Sequence, residues 1–306
     1  MNSVFSRILK ALCVAFLITA LFACGSGKTV DPLVAKRVIG LGDAYNDVGY
    51  GGPNTRFTVR PLVAPAAGTS VVEQFAAILG AGNAGTAVTA RTSLSSSGVF
   101  SYAQGDTLVL SGNNKLADQV SNAISDVGGT FNSNDVIVVT AGAGDLRAGS
   151  SPEGIATAVT SAVSSLLAAN AQYVVVMMPI DVAKMHGGQG LAANGATASY
   201  IGYLGVDILN LTRTKSRNPV VLLDPALSFN LLNTTTSGFS DNTLGVTPGS
   251  VDGYCGAAVT SGCAEVANQT PSYTAMFFAD DNNLTPAGNG WVANLLYSAT
   301  GLAGWR

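Results

Sequence analysis

The sequence predicts an α/β fold in which one large domain is built on a central parallel sheet with helices on both faces. Three observations predict it. Short β-branched runs alternate along the chain with longer segments of helical spacing. The runs at 135–140 (D-V-I-V-V-T) and 173–178 (Y-V-V-V-M-M) are continuous rather than alternating, as strands buried on both faces are. Residues 24–306 are chain enough for one such domain with a sizeable core, and no linker, internal repeat or heptad array divides them.

In chain order, 38–41 is the first strand and 69–79 carries helical spacing. Residues 100–103 lead into a turn at Gln104, Gly105 and Asp106. Leu116, Val120, Ile124 and Val127 set one apolar stripe along a helix over 115–127. After the strand at 135–140, Ser151 caps and Pro152 opens a helix over 152–168. A serine Oγ takes one of the orphan N–H groups, and proline has none to lose. Beyond the strand at 173–178 come a helix over 197–212, the last core strand at 220–224 and a closing helix over 286–299. Between those last two lies a long loop region, 227–277, of the length that is functional or stapled in compact domains.

Composition narrows the partners. Only 11% of residues are charged, the net charge is −3, and no basic stripe exists, so no nucleic acid is expected. The G-L-G at 40–42 lacks the third glycine of a dinucleotide fingerprint, and no cofactor is expected. The valine and isoleucine run at 136–139 is core.

Residues 1–23 read as a signal peptide outside the fold. Arg7 and Lys10 make its positive start, and 11–22 is apolar but too short for a permanent membrane span. Leu21-Phe22-Ala23-Cys24-Gly25 resembles a bacterial lipobox, from which Phe22 departs; a plain secretory signal cut nearby is the alternative. The resemblance implies a lipoprotein of the cell envelope, held in the membrane by acyl groups such as palmitate on Cys24, with 24–33 as tether. Two or more acyl chains hold stably where one is marginal. Gly25 after the cysteine implies sorting to the outer membrane. Cys13 leaves with the leader. Cys255 and Cys263 remain, and in an oxidising compartment they are expected to form a small-loop disulfide bond. Without histidines nearby they make a poor zinc site, and no metal is expected.

Residues 37–49 read R-V-I-G-L-G-D-A-Y-N-D-V-G, a strand followed by Gly42-Asp43-Ala44-Tyr45-Asn46-Asp47. Further on come 51–59 (G-G-P-N-T-R-F-T-V), 101–105 (S-Y-A-Q-G), 138–146 (V-V-T-A-G-A-G-D-L) and 278–288 (F-A-D-D-N-N-L-T-P-A-G). In order and spacing these resemble the conserved blocks of the GDSL (SGNH) esterase and lipase family: G-D-S-L-S-D, G-x-x-x-K-F-T-x-N, N-Y-A-Q-G, W-x-G-A-N-D-L and F-A-D-x-x-H-L-T-P-A-G. The resemblance spans nearly all of 34–306. It implies a three-layer α/β/α sandwich of flavodoxin-like type with an SGNH-hydrolase cleft.

In that family a serine attacks an ester carbonyl, a histidine takes its proton, and an aspartate three residues earlier orients the histidine. Three donors hold the oxyanion. The resemblance puts the nucleophile at Ala44, the acid at Asp280, the base at Asn283, and the oxyanion donors at the Ala44 N–H, the Gly105 N–H and the side chain of residue 144, which is Gly144. The reacting side chains are absent; Asp280 and the two backbone donors remain. Losing a triad serine or histidine costs about 10⁶ in kcat, and one oxyanion donor about 10²–10³. The expectation is a pseudoenzyme, whose ligand positions are Asp43, Ala44, Gly105, Gly144 and Asn283 and whose ligand is an acyl or acetylated-glycan group. Tyr45 and Gly144 change the cleft walls in opposite directions of bulk.

Four other features invite a chemical reading. His186, the single histidine, sits on a βα loop, the edge where such sheets place ligands, and reads as an exposed loop residue. Ser101 reads as a strand-end residue and Tyr45 as a packing residue. The 280–283 run lacks the spacing of a calcium loop and reads as an acidic turn capping the last helix. The alternative functions are an active carboxylic-ester hydrolase with a relocated catalytic group and a partner-binding lipoprotein using 227–277.

Overall fold

The computed structural model describes residues 32–52, 55–59, 69–105, 107–180, 195–215, 218–225, 228–229, 250–255, 263–265, 267, 272–280 and 282–305. The signal peptide, Cys24 and most of the tether, Asp106, His186, Asp281 and most of 227–277 lie outside the described residues. The chain forms two units, one of the two chain ends (1–33 and 305–306) and one of 34–304. In the first, the Leu33 N–H donates to the Trp305 carbonyl at 2.6 Å. All that follows concerns the second.

The second unit is a three-layer α/β sandwich. Its elements run β1 (Arg37–Gly42), α1 (Val71–Ile78), β2 (Gly85–Ala87), β3 (Gly98–Ser101), α2 (Leu116–Asp126), β4 (Asp135–Thr140), α3 (Ala143–Arg147), α4 (Pro152–Ala168), β5 (Val174–Met177), α5 (Ala196–Thr212), β6 (Val220–Leu223), β7 (Ser250–Gly253), β8 (Met276–Phe278) and α6 (Pro286–Leu302). The main sheet has the order β2-β3-β1-β4-β5-β6, and every pair is parallel. Helix α4 packs on both α2 and α5, and α1 packs on α6, giving the outer layers. Every residue of β1, β4 and β5 is buried, which is why these strands read as continuous runs.

Local signals act as expected at several ends. Ser151 Oγ accepts from the Gly154 N–H, with Pro152 first in α4. Ser70 and Glu73 close a capping box on α1. Glu73, fully buried, also accepts from both Arg56 Nη atoms and from the Thr69 and Gly85 N–H groups, tying 55–59 and the β2 start to α1.

Strand β3 begins at Gly98, which pairs with Arg37 at the start of β1. Three expectations are corrected. Helix α6 runs on to Leu302, since Trp291, Leu296 and Thr300 continue its buried face. The turn at 280–283 does not cap it: Thr285 does, its Oγ1 accepting from the Gly288 N–H. Nor is 227–277 loop throughout. Strand β7 lies within it and pairs in parallel with β8, beside the Cys255–Cys263 disulfide, which is present with a Cα separation of 6.1 Å. Val59, Tyr254, Met276 and Ala279 form a small core on which both cysteines pack.

Candidate functional site

Successive strands leave β1 in opposite directions, toward β3 and β2 on one side and β4 to β6 on the other. The reversal opens a crevice outside the carboxyl ends of β1, β3 and β4, where open α/β sheets place ligands. A cleft of about 250 Å³ lies there. Asp43, Ala44 and Tyr45 follow β1, Gly105 and Leu108 follow β3, Gly144 and Arg147 lie on α3 after β4, and Asn282 and Asn283 follow β8; all line it. Five positions assigned from sequence, Asp43, Ala44, Gly105, Gly144 and Asn283, thus meet in one place.

Backbone contacts that only small or polar residues permit hold these walls. Gly42 ends β1 at φ +110°, and a Cβ there would overlap the Thr140 carbonyl oxygen. The buried Gln119 amide of α2 clamps Gly42, accepting from its N–H at 2.6 Å and donating to its carbonyl at 3.0 Å. Asp43 then turns the chain: its N–H donates to the Thr140 carbonyl, and its Oδ1 accepts from Thr140 Oγ1 at 2.8 Å and from the Tyr45 N–H at 3.3 Å. Asn46 Nδ2 donates across the sheet to the Leu41 and Val138 carbonyls. Asp145 on α3 accepts from the Val109 and Leu110 N–H groups and fixes the opposite wall.

The catalytic roles fail for specific reasons. Ala44 offers a methyl group. Asn283 keeps the link to Asp280, with Nδ2 donating to both carboxylate oxygens at 3.0 and 2.9 Å, but an amide cannot take a proton. Asp280 also accepts from the Asn282 and Asn283 N–H groups. One expectation about the donors needs correction. The Gly105 N–H donates to Asp47 Oδ2 at 2.9 Å and is not free for an oxyanion. Gly105 is there because Phe57 packs where a Cβ would go. The Ala44 N–H is the backbone donor left uncommitted.

No replacement pair is assembled among the described residues. Ser101 is a buried strand-end residue, as expected: its Oγ donates to the Asn46 carbonyl and accepts from the Ala103 N–H. Thr107 Oγ1 donates to the Asn114 carbonyl. Tyr45 packs with 4% exposure, and burial, with Asp43 and Asp280 nearby, pushes its hydroxyl above the usual range, so it stays protonated. No group of three His, Cys, Asp or Glu is placed to hold a metal ion among the described residues.

Burial also pushes the Asp43 carboxyl up, from 3.8 to about 6, against the Thr140 hydrogen bond and Arg147. A carboxyl raised in the folded state stabilises the fold at low pH, and the contribution is lost as pH rises through the folded value. Replacing it by Asn, which keeps both acceptor bonds, removes this loss. Asp43→Asn should therefore gain on the wild type by about 2–3 kcal/mol between pH 4 and pH 7.5. Urea denaturation at the two pH values checks it; a difference independent of pH would refute it.

Sequence reading passed over Arg147, the most unusual group in the cleft. Its Nη1 is buried without a hydrogen-bond partner. The signal was adjacent, since Arg147 directly follows the A-G-D-L run, but α3 is only five residues long and too short to show a period. No model of a known protein family matches this chain, and no curated protein matches it.

Proposed function

We propose that the protein is a non-catalytic envelope lipoprotein whose SGNH-hydrolase-like cleft binds a small acyl or acetylated-glycan ligand without turning it over. One observation carries the reading. Residues 44, 105, 144 and 283, spread over the chain, line one cleft at the strand ends, yet present a methyl group, two hydrogens and an amide that is bonded to its neighbouring carboxylate. Four positions spread from 44 to 283 that meet in one cleft, without a nucleophile or base among them, support a binding cleft more directly than a catalytic one. Its volume is below the ~300–1,000 Å³ of pockets for drug-sized molecules, which suits a short acyl group.

Lipid attachment at Cys24, and with it the outer-membrane location, belongs to the same proposal. No helix among the described residues is long and apolar enough to cross a membrane, so attachment would rest on the acylated N-terminus. Incubating the purified protein with a fluorophosphonate probe tests the central claim. No labelling is expected, and stoichiometric labelling would replace this reading with that of an active esterase.

A further inference from the structure

Two polar atoms in the cleft wall lack partners. Tyr45, 4% exposed, has a buried hydroxyl with no hydrogen bond. Arg147 makes no hydrogen bond or ion pair among the described residues, although its Nη1 is buried. Leaving a buried donor unmade costs about 1–3 kcal/mol, more for a charged group. Elsewhere in this protein buried guanidinium groups are paired: Arg37 with Asp135, Arg56 with Glu73. Tyr45 and Arg147 both line the same 250 Å³ space, and an acceptor bound there is the partner that both side chains lack.

The surroundings choose the acceptor. Asp43, Asp145 and Asp280 stand close enough to act on the cleft groups electrostatically. Asp145 and Asp280 are already held by backbone N–H groups, and Asp280 by the Asn283 amide. Arg147 is the one cation lining the cleft among the described residues and is already outnumbered by carboxyls, so an acceptor of the lowest anionic charge is the one tolerated, and the guanidinium fork matches a planar carboxylate. A doubly charged phosphate would be repelled. We propose that the cleft is a binding site for a small monocarboxylate, its carboxylate held by Arg147 and the Tyr45 hydroxyl and its short chain against Ala44 and Leu108. This rests on the ligand-binding reading above and names the ligand class.

A pH dependence follows from the groups facing the site. Asp43 takes up a proton near neutrality, which removes one of the three negative charges. Asp145, Asp280 and Arg147 are the other charged groups near it, and the Tyr200 hydroxyl, raised by burial and by Asp43 and Asp145, stays protonated between pH 5.5 and 7.5. Carboxylate binding should tighten as pH falls over that interval.

Calorimetric titration of the whole mature protein with sodium butyrate, its neutral isostere butyramide and inorganic phosphate tests the proposal. Butyrate should bind at least about tenfold more tightly than butyramide, as for a charged hydrogen bond, and more tightly at pH 5.5 than at 7.5. Arg147→Gln should lose about tenfold or more in butyrate affinity while its melting curve shows a folded protein, because Arg147 makes no hydrogen bond or ion pair among the described residues. Tyr45→Phe should lose a smaller factor. Butyramide binding as tightly as butyrate, phosphate binding more tightly, or Arg147→Gln binding butyrate unchanged would overturn the carboxylate site while leaving an acyl-binding cleft. Binding of neither butyrate nor butyramide would overturn both. Hydrolytic turnover by the wild type would sink the non-catalytic reading alone.

Discussion

Wild-type protein should leave p-nitrophenyl butyrate at the buffer rate, while the Ala44→Ser/Gly144→Asn/Asn283→His variant hydrolyses it. The three changes supply a nucleophile, an oxyanion donor and a base at positions that already line one cleft. Asp280 is waiting for the base: its two oxygens hold the residue 283 side chain at 2.9–3.0 Å. Gly144 can accept a side chain, since the close contact of an added Cβ is the Leu108 Cδ2 at 2.9 Å, the movable tip of a half-buried side chain, and the Thr107 carbonyl oxygen lies at an ordinary 3.8 Å. A complete triad contributes about 10⁶. The Gly105 N–H is committed to Asp47, which withholds about 10²–10³, and a misplacement of ~1 Å takes about 10² more. A gain of about 10² over the wild type is therefore the expected scale. An equally inert variant, folded by its melting temperature, would mean that the cleft does not hold these positions in catalytic register. Wild-type activity that survives repurification would mean a relocated catalytic group.

Gly42→Ala should be the most damaging single methyl in the cleft region. At φ +110° an alanine is strained, and its Cβ would overlap the Thr140 carbonyl oxygen on β4, which also accepts the Asp43 N–H. Strain and overlap together cost about 3–5 kcal/mol. Gly80→Ala is the control: φ is +75°, but nothing lies within 4 Å of the added atom, so only the conformational cost of about 1–2 kcal/mol remains. Guanidinium denaturation of both variants separates the two effects; equal losses would mean that β1 and β4 simply move apart. The change should also weaken butyrate binding, because Asp43, Ala44 and Tyr45 all leave from this strand end.

What the sequence determined by itself was local. Burial on both faces makes a strand apolar throughout, so 135–140 was legible to the residue. A cap and a fixed φ are properties of neighbouring residues, so the Ser151-Pro152 start of α4 was legible too. The cleft positions 44, 144 and 283 could be named because the order of motifs is readable without a structure. Tertiary structure decided the rest, because it depends on which distant groups approach. Gln119 reads as a polar position on a helix, yet it is fully buried, since Gly42 at the end of a neighbouring strand needs both its donor and its acceptor. Gly105 reads as a free donor, yet Asp47, 58 residues earlier, takes its N–H. Arg147 reads as the polar end of a short segment, and only the meeting of four chain stretches leaves its Nη1 buried and unpartnered. A hydrogen bond between remote residues has no period in the sequence. The lining of this cleft is made almost wholly of such contacts, so local pattern could name its positions and not their state.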